Sequence, residues 1–172
     1  HLNQAQSYNT AKPLIPTTED ALRLYSAVTG FNPKDPSTDQ GTALIDLLNY
    51  WKNIGISVGS TVHKILGYAA IDITSIAQMR YATYTFGGLY LGINCPKACQ
   101  QNTNNWDFAP GLPIEGGHCI IRAGEGSQGG KTGSWGLWIP TSNEVYLGYM
   151  DEAYIIVTED WLNVQGQSPS GL

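Results

Sequence analysis

The order of apolar patterns along the chain is the feature that most limits its fold. Segments 17–30 and 42–53 place apolar residues at helical spacing. Thr17 stands before carboxylates in the manner of a helix N-cap, and Gly30 and Gly55 are suited to end the two helices. Because helical patterns come first and strand patterns come mainly later, the sequence predicts an α+β fold.

The second part of the chain predicts one more helix and several strands. The helix is expected to begin after a cap at Asp72 or Thr74 and to run through Phe86. Residues 95–117 predict a long loop, and loops of this length tend to carry function or to wrap a site. The expected strands are 62–73, 89–93, 118–123, 135–139 and 154–157. Strand 89–93 is expected to be buried on both faces.

Composition narrows the classes of function. The chain has 172 residues, which predicts a single domain over 1–172, with a flexible tail at 165–172. Only 13% of residues are charged, the net charge is −5, and no basic patch is present, so nucleic-acid binding is not expected. No apolar stretch is long enough to span a membrane. The chain begins at His1 without a methionine, which predicts a processed or incomplete chain.

His118 is the strongest candidate for chemistry. Gly116 and Gly117 precede it and are expected to let the backbone enter a strand at close quarters, and an apolar run follows. A histidine at the mouth of a buried strand has the fixed orientation and partial desolvation of a general base, although a hydrogen-bonded structural histidine fits the same pattern. Cys119 must point to the opposite face, which predicts a buried, inert thiol.

The remaining histidines and cysteines give weaker signals. His63 lies within an apolar strand and is expected to be a surface or hydrogen-bonded residue. Cys95 and Cys99 are spaced to form a small disulfide, to remain two free thiols, or to supply half of a metal site whose other ligands are missing. No metal and no cofactor are therefore expected.

Five segments, taken in chain order, carry recognisable motifs. They are a helix closing on Asn-Ile-Gly-Ile (43–56), a Gly-Leu-Tyr-Leu-Gly-Ile strand (88–93), Gly-His-Cys-Ile-Ile-Arg-Ala-Gly-Glu-Gly (117–126), Lys-Thr-Gly-Ser-Trp-Gly (131–136) and a closing strand after Gly-Tyr (148–157). Together they resemble the papain-like cysteine peptidase family, especially its divergent bacterial and phage-associated members. The resemblance covers nearly the whole chain and implies a papain-like fold, with N-terminal helices packed on a mainly antiparallel C-terminal sheet.

The resemblance also assigns roles to residues. It implies that His118 is the catalytic histidine, that Trp135 shields it from water, and that Ser134 and Gly117 line the cleft. The family's orienting asparagine corresponds to Gly133, which has no side chain to hold an imidazole. The family's cysteine lies at the start of the long central helix, and residues 1–6 already fall inside that helix. The nucleophile is therefore expected upstream of residue 1.

Three functions follow from this resemblance. The first is a cysteine peptidase that hydrolyses peptide or amide bonds of a peptide or protein substrate, without a cofactor. The second is a catalytically inactive papain-fold protein in a protein assembly, such as a secreted coat or a virus particle. The third is a peptidoglycan amidase with the same Cys–His arrangement. The second interpretation predicts an extracellular or virion-associated protein.

Overall fold

The computed structural model describes residues 15–158 and residue 167. The chain packs as two compact units, His1–Tyr68 with Val157–Gly166 and Ala69–Ile156 with Gln167–Leu172. Helices and a mainly antiparallel sheet make up these units, so the α+β prediction is confirmed. The expected helix tail near the N-terminus and nearly all of the expected C-terminal tail lie outside the described residues. The single domain over 1–172 stays a prediction.

The first helix of unit 1, α1 (Thr18–Thr29), begins and ends where the sequence predicts. The Thr17 side chain accepts a hydrogen bond from the backbone N–H of Asp20, and the Asp20 carboxylate in turn accepts one from the backbone N–H of Thr17. Hydrogen bonds from the backbone N–H and from the hydroxyl of Thr17 to the Asp20 carboxylate lower the pKa of Asp20 to about 2. Gly30 ends the helix in the left-handed conformation, with φ 78°.

The second helix, α2 (Leu44–Asn53), begins slightly later than predicted, because Ala43 rather than Thr42 occupies the N-cap position. After α2 the chain turns at Gly55, which has φ 98°. A Cβ atom at this position would lie 2.5 Å from the Val62 side chain, so only glycine fits this turn. The side chains that α2 buries are Leu44, Leu48 and Trp51.

The predicted strand 62–73 is wrong as a single element. The structure forms β1 (Ile56–Val58), β2 (Thr61–His63) and β3 (Ile65–Ala70). β1 and β2 form an antiparallel pair, and the pairing ends where Ile56 lies opposite His63. β3 belongs instead to the six-stranded sheet. A short 3-10 helix, Pro36–Thr38, lies in the loop between α1 and α2.

Unit 2 holds most of the sheet. The elements of this part of the chain are α3 (Ile76–Phe86), β4 (Leu89–Pro96), α4 (Ala98–Gln101), β5 (Ile114–Glu125), β6 (Gly129–Ser134), β7 (Leu137–Ser142), α5 (Asn143–Tyr149) and β8 (Met150–Thr158). The Ser75 side chain caps α3, rather than Asp72 or Thr74. The sheet has the strand order β3-β8-β4-β5-β6-β7.

One face of this sheet carries the core of unit 2. Leu89, Leu91 and Ile93 alternate along β4 and are buried against side chains of α3 and α5. The alternate residues of β4 are half-buried or exposed, so the prediction that this strand is buried on both faces is wrong.

The predicted loop 95–117 is shorter than expected. β4 continues to Pro96, α4 follows, and β5 begins at Ile114, so the irregular segment is 102–113. Trp106 anchors this segment through two hydrogen bonds. Its backbone N–H donates to the carbonyl oxygen of Pro140 at 2.8 Å, and its indole N–H donates to the carbonyl oxygen of Cys99 at 3.1 Å. The sequence also missed α5, which is seven residues long and too short to show a helical period. Within the described residues, no helix has the length and apolar character needed to cross a membrane.

Replacing Leu91 by alanine tests the core of unit 2. The Leu91 side chain is fully buried, so Leu91→Ala should lower the free energy of unfolding by about 2–5 kcal/mol. Leu147→Ala is the matched control, since Leu147 is 48% exposed and its truncation should cost about 0.5 kcal/mol or less. Urea unfolding measures both variants. Equal losses would show that the core lies elsewhere.

Candidate active site

His118 lies near the middle of β5, on the same face of the sheet as the core. Its partner across the strand pair is Ile93, and Ile120 is the next residue on its face. His118 is half-buried, and this burial lowers the pKa of its imidazole below 6.5. The ring therefore favours the neutral form, which is the form that can accept a proton.

The two glycines before His118 are not closely approached by any described residue. A Cβ atom at Gly116 or at Gly117 would meet no atom within 4 Å among the described residues. The close approach expected at these glycines is therefore not made by any described residue.

Ser134 is the hydrogen-bond partner of the imidazole. Its Oγ lies 2.7 Å from Nε2 of His118, and the residue is only 8% exposed. The β5–β6 register pairs Arg122 with Thr132, which puts Ser134 on the same face as His118. Among the described residues, Nδ1 of His118 has no hydrogen-bond partner. The sequence indicated Ser134 only as a cleft residue and missed this contact, which depends on the register.

Trp135 covers the imidazole. The two rings stack with centroids 4.7 Å apart and an interplanar angle of 18°. Trp135 and Gly136 form the two-residue turn between β6 and β7, with φ 48° and 74°. The expected strand 135–139 is therefore wrong at its start, and β7 begins only at Leu137.

The turn conformation of Trp135 is unusual for a large side chain. Left-handed backbone favours glycine or asparagine and costs other residues about 1 kcal/mol or more. The ring of Trp135 compensates through two contacts, the stack on His118 and an edge-to-face contact with Trp106 at 5.9 Å. The shielding role that the resemblance implies for Trp135 stays a prediction.

Gly133 does not face the imidazole. In the β6–β7 register Gly133 pairs with Trp138, and a Cβ atom at position 133 would lie 3.0 Å from the Trp138 ring. Since side chains alternate, this is the face opposite to Ser134 and His118. An asparagine at position 133 would thus point away from the imidazole. The correspondence between Gly133 and the family's asparagine holds in sequence but not in space.

Cys119 points away from His118, as the alternation of β5 predicts. Its cross-strand partner is Gly92, and its thiol lies beside the Tyr90 hydroxyl. The residue as a whole is exposed rather than buried, whereas protein atoms surround its sulfur. Crowding by protein around the sulfur nonetheless raises the pKa of Cys119 to about 11, which leaves the thiol protonated at neutral pH.

Cys95 and Cys99 are buried and free, so the disulfide that their spacing allows is not formed in this structure. Their thiols interact, and the hydrogen bond lowers the pKa of Cys95 and raises that of Cys99. Cys95 stands opposite Gly116 and shares a face with His118, but it is only 6% exposed. The described residues contain no group of three His, Cys, Asp or Glu side chains that could hold a metal ion.

His63 is half-buried at the end of β2 in unit 1, and its Nε2 is buried without a hydrogen-bond partner in the part of the chain that the structure describes. The expectation of a surface or hydrogen-bonded residue is therefore not met at this nitrogen.

A buried ion pair supports the site from the same face of β5. The Arg122 side chain is fully buried and donates to both carboxylate oxygens of Glu125, at 2.9 and 3.1 Å. Its guanidinium lies 4.2 Å from the centroid of the Tyr146 ring, and Arg80 pairs with Glu125 at 3.3 Å. Sequence reasoning missed this network, because an arginine within an apolar run gives no sign of its partners.

Two solved structures resemble this chain. The Carica candamarcensis cysteine protease CMS1MS2, in complex with E-64, matches with a TM-score of 0.61 and 13% identity over 89% of this chain and 82% of that chain. The ragweed pollen allergen Amb a 11, a cysteine protease in its proform, matches with a TM-score of 0.59 and 11% identity over 90% of this chain and 55% of that chain. The chain thus spans about half the length of that proform.

The likeness to these structures is one of fold. No family model matches the chain, and no curated protein matches it. At 13% identity or less, shared architecture is the firm conclusion. The chain therefore has a papain-like α+β fold, and His118, Ser134 and Trp135 form the cluster on which a chemical role can be argued.

Removing the Trp135 ring should raise the pKa of His118 toward 6.5, because the imidazole loses the cover that disfavours its charged form. An NMR titration of the imidazole ring protons of His118 measures this pKa. Since the folded pKa lies below the unfolded one, His118 contributes stability that is present above pH 6.5 and is lost as the pH falls through the folded pKa. Trp135→Ala should weaken this acid sensitivity.

Trp138→Ala is the matched control for this prediction. Trp138 lies on the same hairpin, is 61% exposed, and points to the opposite face of the sheet. The pKa of His118 should stay at its wild-type value in this variant. An equal shift in both variants would mean that the hairpin as a whole, rather than the stacked ring, sets the titration.

Proposed function

We propose that this chain is the histidine-bearing part of a papain-like cysteine peptidase, allied with the bacterial and phage-associated branch, that hydrolyses peptide or amide bonds. The nucleophile is a cysteine N-terminal to His1, and the substrate is a peptide or protein. One observation carries the proposal: His118 is half-buried, its Nε2 is engaged by Ser134 at 2.7 Å, and no described residue forms a hydrogen bond with its Nδ1.

The state of the imidazole suits a general base. Burial lowers the pKa of His118, so the ring is neutral near pH 7 and can take the proton of a thiol. The thiolate then attacks the carbonyl carbon, and the imidazolium returns the proton to the leaving amine. Water hydrolyses the resulting thioester with His118 again as base, which restores the thiol.

The three cysteines of the chain do not suit the nucleophilic role. Cys119 lies on the other face of β5, and its pKa of about 11 leaves almost no thiolate at neutral pH. Cys99 is fully buried, and Cys95 is buried with its thiol directed to Cys99 and to the carbonyl of Pro96 at 3.7 Å. A substrate carbonyl cannot reach either sulfur. This exclusion supports the proposal of a nucleophile upstream of residue 1.

Thiol alkylation of the full-length natural protein tests the proposal. Iodoacetamide at pH 6 should modify one cysteine N-terminal to His1 much faster than any other thiol, because only a thiolate paired with an imidazolium is abundant at that pH. His118→Ala should slow this modification by roughly 100-fold, since an ordinary thiol of pKa about 8.5 is less than about 1% thiolate at pH 6. Peptide mass spectrometry locates the label, and a fluorogenic peptide library measures hydrolysis.

His63→Ala is the control, because it removes another half-buried imidazole that lies in unit 1. Labelling and hydrolysis should match the wild type. Fast labelling of Cys95 would transfer the nucleophilic role to a residue on the face of His118 and overturn the upstream assignment. If the labelling rate in His118→Ala equals that of the wild type, this histidine has no part in activating the nucleophile.

The inactive papain-fold protein remains the competing function, and its prediction is the absence of both labelling and hydrolysis. The sequence favours it through Gly133, which stands at the position of the family's asparagine. That argument loses weight because a side chain at 133 would face Trp138, while Ser134 supplies a hydrogen bond to the imidazole.

A further inference from the structure

Two adjacent residues of β6 are candidates to hold the imidazole of His118, and the sheet register selects one of them. Gly133 matches the family's orienting asparagine in sequence, but a Cβ atom there would lie 3.0 Å from the Trp138 ring on the far face. Ser134 lies on the near face, with Oγ 2.7 Å from Nε2. Position 134 is thus the place from which β6 reaches the ring.

A hydroxyl oxygen can serve the imidazole in both of its charge states. It accepts a hydrogen bond from Nε2–H in the neutral ring and keeps that bond when Nδ1 also gains a proton. A hydroxyl that donated to Nε2 would have to rotate at every protonation. The accepting arrangement therefore needs no reorganisation during proton transfer, and it places the lone pair on Nδ1, which has no partner among the described residues.

The packing around Ser134 fixes this hydrogen bond. The residue is only 8% exposed, so water competes little for its hydroxyl. It is the last residue of β6, directly before the tight turn whose Trp135 ring stacks on the imidazole at 4.7 Å. A serine has a single side-chain torsion before its oxygen, so little conformational entropy is lost in holding it.

We propose that Ser134 is the positioning residue for His118: its hydroxyl accepts the Nε2–H and leaves Nδ1 as the basic nitrogen, in place of the asparagine of the papain-like family. The use of this tautomer in catalysis rests on the proposed function. The tautomer itself is a property of this chain and can be measured without any activity.

Long-range 1H–15N NMR of protein labelled at histidine tests the tautomer at a pH above the pKa of the ring. In the wild type, Nε2 of His118 should carry the proton and Nδ1 should show the shift of a bare nitrogen. In Ser134→Ala the two shifts should move toward each other as the tautomers mix, and Ser134→Thr should keep the wild-type pattern. A wild-type proton on Nδ1, or an unchanged pattern in Ser134→Ala, would overturn the proposal.

Two further variants sharpen this measurement. Ser127→Ala removes an exposed serine from the same β5–β6 hairpin and should leave the pattern unchanged. The double variant Gly133→Asn with Ser134→Ala should not restore the wild-type tautomer, because an asparagine at 133 faces Trp138. Restoration would assign the role to position 133. If Ser134→Ala fails to fold by circular dichroism, the wild-type and Ser134→Thr spectra decide the matter.

A kinetic measurement on the full-length natural protein separates this inference from the proposed function. Ser134→Ala should lower kcat by roughly 10- to 100-fold with little change in KM, since a misplaced base slows chemistry rather than binding. Ser134→Thr should recover most of the rate. An unchanged kcat in Ser134→Ala would overturn the positioning role. If the wild type neither hydrolyses peptides nor reacts with iodoacetamide, the proposed function is wrong. The NMR pattern then still tests whether Ser134 sets the tautomer of His118.

Discussion

Ile121 pairs with Gly133 and Arg122 with Thr132 across β5 and β6, and this register fixes which side chains share a face of the sheet. His118 and Ser134 meet only because both lie on the face that carries the core. A shift of β6 by one residue would put Gly133 in place of Ser134 on the face of His118. The chemistry available to the chain therefore follows from how these two strands pair.

A polar network around the buried Arg122 bears on the same register. A fully buried guanidinium needs its carboxylate partner, because a charge left unpaired in a protein interior is very costly. The Tyr146 ring and the linked hydroxyls of Thr132 and Tyr146, 2.9 Å apart, extend this network across β5, β6 and α5. Slipping β6 along β5 would leave Arg122 and Glu125 together on β5 but would move Thr132 away from its place opposite Arg122. The contact of Thr132 therefore adds to the apolar core in favouring one register.

Much of the candidate site could be predicted from the sequence, because local pattern and family resemblance carry it. His118 was found from its strand position, the orientation of Cys119 from side-chain alternation, and the presence of Trp135 from the Gly-Ser-Trp-Gly segment. The partner of the imidazole was missed. The sequence resemblance points to Gly133 as the partner of the imidazole, whereas the turn at Trp135 and Gly136 determines which residue of β6 faces the ring.

The sequence by itself determined the α+β class, the ends of α1 and the strand that carries His118, because helical period, capping residues and apolar runs act over a few residues. Only the tertiary structure decided that Ser134 lies within hydrogen-bond distance of the imidazole, that Trp135 stacks on it, and that Cys95 shares its face while remaining buried. Those facts depend on pairing between strands distant in the chain. Such pairing is set by the packing of the whole sheet and leaves little trace in local sequence.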